Sequence, residues 1–187
     1  MSKRIKRDAL EYPTREKGRT IPKEYKGKYK GSPYATSKDK KQLAEFKYEK
    51  YFDKMRRILG NTTTYDSDLR RTAKRLFGKR FMGVYAANRI PQSIGKGKLL
   101  IINLDDADEP GSHWIGAAKD NQNTIWVYDS FGRNIHRILP SIYTSKRKIR
   151  STERDAEQTA KEQNCGARVV AWLQVFAKYG AEYAKWI

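Results

Sequence analysis

One cysteine, two histidines and a Tyr-Asp-Ser-Phe-Gly pentapeptide are the residues of this chain whose types and spacing could do covalent chemistry. Cys165 stands at the start of an apolar run that opens on Asn164, a good N-cap residue, and stops at Gly180. Within that run Val169, Val170, Trp172, Leu173, Phe176 and Ala177 form a broad apolar arc at helical spacing, which leaves Gln174 and Lys178 on the polar side. A thiol in the first turn of a buried helix faces unpaired backbone N–H groups and the positive end of the helix dipole. A free thiol of pKa about 8.5 is little ionised at neutral pH, whereas such a position beside a cation lowers the value to roughly 3.5–7.5. The competing reading of a lone cysteine is a small buried hydrophobe.

A nucleophilic thiolate needs a base, a group that orients the base, and donors for the oxyanion. His113 opens a strand-like segment and precedes Trp114, while His136 lies in a polar stretch between Arg133 and Arg137, so His113 is the better base. Asp129 closes a neighbouring strand in the YDSFG segment. A hairpin turning at Asn121–Asn123 would bring its carboxylate beside His113 to orient the imidazole. Gln158 can offer a side-chain amide and Cys165 its own backbone N–H as oxyanion donors, with Gln163 a competitor for the amide role. Each residue has an ordinary counterpart: a satisfied core histidine, a turn aspartate, a surface glutamine.

The elements that must position these groups follow from periodicity. Residues 1–37 mix Lys, Arg, Gly, Pro and Tyr without a period and read as a mobile arm. In it Lys23, Lys26, Lys28 and Lys30 alternate with Tyr25, Tyr29 and Tyr34, an arrangement suited to phosphates and stacked bases and equally to low complexity. Lys3–Arg7 also matches a nuclear-import pattern. Residues 38–59 read as a basic amphipathic helix ending at Gly60, and Asp66 or Ser67 caps a second helix that Gly78 stops. Phe81–Pro91 reads as an irregular connection. Leu99–Leu104, His113–Lys119 and Thr124–Phe131 read as strands, the first followed by a long acidic loop and the last two forming a hairpin. Asn134–Ile142 suggests a short helix, and Ser145–Gln163 a polar, mobile segment. Helices, then a sheet, then a core helix predict an α+β fold: a mixed, mostly antiparallel sheet flanked by helices. The expected organisation is a basic extension over residues 1–60 and a second unit over 61–187.

The 187 residues carry a net charge of +19, with the basic excess in both the first 60 residues and the remainder. That charge points to a polyanionic partner, nonspecific DNA first and an anionic membrane surface second, with a solvated cationic surface as the plain alternative. One cysteine excludes an intramolecular disulfide and a cysteine-based zinc site; no metal is expected. No apolar run approaches spanning length and the N-terminus lacks a signal-peptide core, so the chain reads as not secreted and without membrane insertion.

His113-Trp114, the YDSFG segment holding Asp129, and Gln158 seven residues before Cys165-Gly166 together resemble the adenovirus-type maturation proteases, the adenain-like cysteine peptidases also carried by virophages. The helix over Leu69–Phe77 and the FMGVYAANRIP segment are similar to that family's N-terminal helix and its Phe-x-Gly-x-Tyr…Arg-x-Pro connection, so the likeness spans residues 65–180. It implies an adenain/Ulp1-like fold and hydrolysis of capsid or core precursor proteins next to small residues such as glycine. His113 would serve as base and later acid, Asp129 would orient it, Cys165 would attack, Gln158 would hold the oxyanion, and Trp114 and Gly166 would sit beside the site. No cofactor is needed for that chemistry, although DNA or a peptide is implied as activator, and the setting implied is the virion or the infected cell, in a cytoplasmic virus factory or the nucleus. A monomer is expected. The chain departs from the adenovirus enzymes in having Asp129 where they have Glu, and a disulfide-tethered activating peptide is impossible with Cys165 the only thiol. The arm around Lys23–Tyr34 is the expected substitute for that peptide, in cis. The alternatives are a protease removing a ubiquitin-like modifier and an inactive basic DNA-packaging protein.

Overall fold

The computed structural model describes residues 36–187. The basic arm, including Lys23, Tyr25, Lys26, Lys28, Tyr29 and Lys30, lies outside the described residues. Five strands, β1 (Phe81–Ala86), β2 (Leu99–Asn103), β3 (Trp114–Lys119), β4 (Thr124–Tyr128) and β5 (Lys148–Ser151), form one sheet in that order. The central strands β2, β3 and β4 run antiparallel, and β1 and β5 join their neighbours in parallel. The helices are α1 (Ser37–Leu59), α2 (Asp66–Phe77), α3 (Ile135–Ile138), α4 (Cys165–Tyr179) and α5 (Ala181–Ala184). The fold is α+β: a mixed sheet with an antiparallel centre, flanked by helices, with a buried cysteine opening a core helix.

Side-chain alternation divides the core between the two faces of the sheet. Leu99 and Ile101 point to one side, where they meet Leu43, Tyr48, Phe52 and Met55 of α1, Leu69 of α2, and Val169, Trp172 and Phe176 of α4. Leu100 and Ile102 point to the other, where Ile135, Leu139 and Ile142 cover them together with Ile115, Ile125 and Val127. A strand buried on both faces has no polar alternation, which is why β2 reads as an unbroken apolar run. The α1 helix, expected in an N-terminal extension, thus contributes to the same core as α4. It begins on a capping box in which the Thr36 hydroxyl accepts from the Asp39 N–H and the Asp39 carboxylate accepts from the Thr36 N–H.

Gly116 lets α4 close on the sheet. A Cβ there would stand 2.9 Å from Trp172 Cε3 and 3.3 Å from Val169 Cγ1. Gly116→Ala is therefore expected to destabilise the fold by about 1–3 kcal/mol, through overpacking of a filled core. A urea unfolding midpoint that does not move would show that the Trp172 ring shifts aside freely.

Four expectations are corrected. The segment Phe81–Ala86 is strand β1, not an irregular connection: Gly83, at φ +151°, and a register break between Phe81 and Gly83 disguise its alternation. Lys148–Ser151 is strand β5, where a polar segment was expected; it is an edge strand with alternate residues exposed and Ile149 as its one apolar contact. Neither Asp66 nor Ser67 caps α2. The N-cap is Tyr65, with no side-chain bond, and Asp66 sits in the first turn paired with Arg70 one turn on. Asn164 occupies the N-cap of α4, but its side chain is turned to Asn61, Glu162 and Arg168 and leaves the first-turn N–H groups uncapped.

Candidate active site

His113 immediately precedes β3 and Asp129 immediately follows β4. Because these strands pair antiparallel with Gly116 opposite Tyr128, their adjoining ends meet at one edge of the sheet. The His113 Nε2–H donates to Asp129 Oδ1 at 2.7 Å, both side chains being almost fully buried. Asp129 also accepts from the Arg133 guanidinium, through Nε at 2.8 Å and Nη2 at 3.2 Å, and from the backbone N–H groups of Arg133 and Phe131. Burial opposes the Asp129 charge, but these donors prevail and hold its carboxyl well below the usual carboxylate range. An ionised Asp129 fixes the proton on Nε2 and leaves His113 Nδ1 for a second partner.

Cys165 lies against the same imidazole. Packing of α4 against β3 brings the thiol to the His113 ring, in a cleft of ≈ 650 Å³ that both residues line. Burial pushes the thiol up, yet its hydrogen bonding and charge interaction with His113, and the backbone N–H groups of Trp114 and Gly166, bring it net below its ordinary value. Burial likewise pulls the imidazole down, and Asp129 and Cys165 together raise it above its ordinary value. The opposed shifts have a common source: each of the two groups favours the charged form of the other.

Gln158 lines the same cleft, buried, with its amide held at both ends. Its Oε1 accepts from the Ser130 hydroxyl at 2.6 Å, and one Nε2–H goes to the Glu162 carbonyl at 2.6 Å. An amide nitrogen carries two protons, so the second remains for a ligand. Gln163 also lines the cleft but is exposed, its Oε1 accepting from Thr63. Trp114 closes one wall, its indole N–H donating to the Thr64 carbonyl at 2.9 Å. Gly166 passes beneath Thr64, where a Cβ would fall 2.9 Å from the threonine Oγ1. His136 is not brought to this cleft: it is exposed on α3 with its ring 4.8 Å from that of Tyr143.

Behind these groups lies a buried polar network that sequence reasoning missed. The Tyr48 and Tyr128 hydroxyls meet at 2.7 Å, Tyr128 donates to Glu157, and Arg168 reaches Tyr48, Asn164 and Glu162. Burial pushes the Glu157 carboxyl up to about 8, so at neutral pH it is mostly protonated. Tyr128, Glu157 and Asn164 each stand one residue before Asp129, Gln158 and Cys165, so one network fixes the backbone behind all three. Ser130 and Arg133, equally missed, are local to the YDSFG segment, and Arg133 lies four residues after the aspartate it grips. Among the described residues no cluster of three or more His, Cys, Asp or Glu could hold a metal, and no helix is long and apolar enough to cross a membrane. The chain matches no family model and no curated protein sequence.

Proposed function

We propose that the chain is a cysteine endopeptidase of the adenain-like kind, with an adenain/Ulp1-like fold, that cleaves virion precursor proteins. The observation that carries this reading is His113 set between an ionised Asp129 and the Cys165 thiol. The resemblance in residue order supplies the substrate class. His113 Nδ1 takes the Cys165 proton, and the sulfur attacks the scissile carbonyl carbon as the carbonyl π electrons move to oxygen. That oxyanion receives the free Nε2–H of Gln158 and the Cys165 backbone N–H at the uncapped mouth of α4. His113 then gives its proton to the departing amine as the C–N bond breaks, leaving a thioester. Water attacks the thioester, passing a proton to His113; the C–S bond breaks and the thiol is restored. Asp129 remains ionised throughout.

The decisive experiment incubates wild type and Cys165→Ala with candidate capsid and core proteins, with and without DNA, and reads products by intact mass. Cleavage by wild type alone, beside a small residue, is expected. Cleavage that survives in Cys165→Ala ends the proposal. Loss of one oxyanion donor in Gln158→Ala is expected to lower kcat about 10²–10³-fold with KM little changed. A change confined to KM would reassign Gln158 to substrate binding. The net charge of +19 supports nonspecific DNA as a partner within the particle, a contact that would weaken steeply with salt.

A further inference from the structure

A primary amide is nearly symmetrical in shape but not in chemistry: its nitrogen end donates and its oxygen end accepts, so one orientation stabilises an oxyanion and the other repels it. The Gln158 side chain is buried, and its neighbours decide which way it lies. The Glu162 carbonyl can only accept, so it requires the nitrogen end on its side, where Nε2 stands at 2.6 Å. A turn steadies that carbonyl: the Glu162 N–H donates to the Thr159 carbonyl, and the Glu162 carboxylate accepts from the Thr159 N–H and from Arg168. The oxygen end of the amide meets the Ser130 hydroxyl at 2.6 Å. Ser130 is fully buried, and its own carbonyl accepts from the N–H groups of Glu157 and Gln158, each at 3.0 Å. The serine therefore holds Gln158 twice, by a backbone bond that sets its place and by a hydroxyl that sets its amide. Asp129, the preceding residue, holds His113.

From this arrangement we infer that Ser130 is a positioning residue: its hydroxyl, opposite the Glu162 carbonyl, keeps the Gln158 amide in the orientation that leaves the second Nε2–H for the cleft. Asp129 and Ser130 thus mount the base and the oxyanion donor on adjacent residues of one short segment. Without the hydroxyl, Gln158 Oε1 is a buried acceptor stripped of the donor that satisfies it, and the amide gains by turning away. The inference rests on the proteolytic reading for what the amide serves, and on the hydrogen bonds alone for how it is held.

The test has two readouts. In isotope-labelled full-length protein, the side-chain amide signals of Gln158 are identified by nuclear magnetic resonance from their absence in Gln158→Ala. In wild type they are expected to exchange with solvent at least about ten-fold more slowly than those of exposed glutamines. Ser130→Ala keeps the backbone bonds, and its Gln158 signals should shift and exchange faster. The second readout uses whichever capsid or core protein wild type cleaves. On it Ser130→Ala should lower kcat about 10–10²-fold with KM little changed, a part of the loss expected for Gln158→Ala. Made in the Gln158→Ala background, the same substitution should cost less than about two-fold, because the residue it acts through is gone. Wild-type Gln158 signals that exchange like exposed ones, signals unmoved by Ser130→Ala, or an equal cost in both backgrounds overturns the inference. If wild type cleaves nothing, the proteolytic reading fails while the amide signals still decide how Gln158 is held. Cleavage by wild type with kcat and Gln158 signals indifferent to Ser130→Ala does the reverse.

Discussion

His113→Ala is expected to move the ionisation of Cys165 from below the ordinary thiol value to above it, and to remove at least about 10³-fold of kcat/KM. The direction follows from the balance at the sulfur. Burial alone pushes the thiol up, and the imidazole is the foremost of the influences that reverse it. Without the imidazole the burial remains, and the backbone N–H groups of Trp114 and Gly166 are left as its main opposition. Alkylation by iodoacetamide requires the thiolate, so its rate rises with pH through the thiol's pKa. The wild-type midpoint should fall below that of an ordinary thiol and the variant's above it. Proteolysis by wild type should follow a bell, because it needs an ionised thiol to attack and a protonated imidazole to release the amine. Superimposable alkylation profiles for the two proteins would mean that no ion pair forms, and the nucleophile would have to be sought elsewhere.

Asp129→Asn is expected to lower kcat by about 10³–10⁴-fold while the chain still folds, by releasing the proton that the carboxylate fixes on Nε2. The same residue links stability to acid. Its pKa is depressed in the folded state, so its contribution is fully present above the unfolded value of about 3.9 and is lost as pH falls through the lower, folded value. His113 is shifted upward, so its share is fully present below about 6.5 and is lost as pH rises through its folded value. These are two views of one interaction and count once. Breaking a buried pair costs roughly 3–5 kcal/mol, and the low end is expected because the Arg133 side chain, 38% exposed, remains solvated. Urea midpoints from pH 3 to 6 should show wild type pulling ahead of Asp129→Asn as pH rises. A constant gap across that range would mean that Asp129 is not held ionised by its neighbours.

What was legible in the sequence was whatever a short local pattern could encode. The α4 helix announces itself by a run of apolar residues between Asn164 and Gly180, and β2 by the unbroken apolar tetrapeptide Leu99–Ile102. The meeting of His113 and Asp129 follows from a tight turn at Asp120–Asn123, because an antiparallel hairpin aligns the ends of its strands. The edge strands were hidden for physical reasons. β5 buries little and so needs few apolar residues, while β1 carries a glycine and a register break that spoil alternation. Gln158 could be offered, with Gln163 as its competitor, from its place ahead of Cys165, but not the way its carbonyl is held by Ser130 and one amide proton by Glu162. Those contacts depend on the path of the 152–164 segment, which no periodicity describes. The tyrosine–glutamate–arginine network was hidden because it joins residues far apart in the chain, each of which alone reads as an ordinary core or surface side chain.

That distance has a consequence for when the thiol becomes reactive. Tyr48 meets Tyr128 across 80 residues and Arg168 across 120, so these contacts close late, after the intervening chain has been ordered. The α1 segment precedes its partners in the sheet and in α4, so its apolar face is fully covered only after those later segments are made. Cys165 therefore stays an ordinary thiol in a nascent or partly folded chain, because the segments bearing Asp129, Gln158 and Cys165 share anchors that only the finished molecule assembles. Assembly of the cleft around Cys165 is thereby deferred until its distant anchors meet, a timing set by contact order.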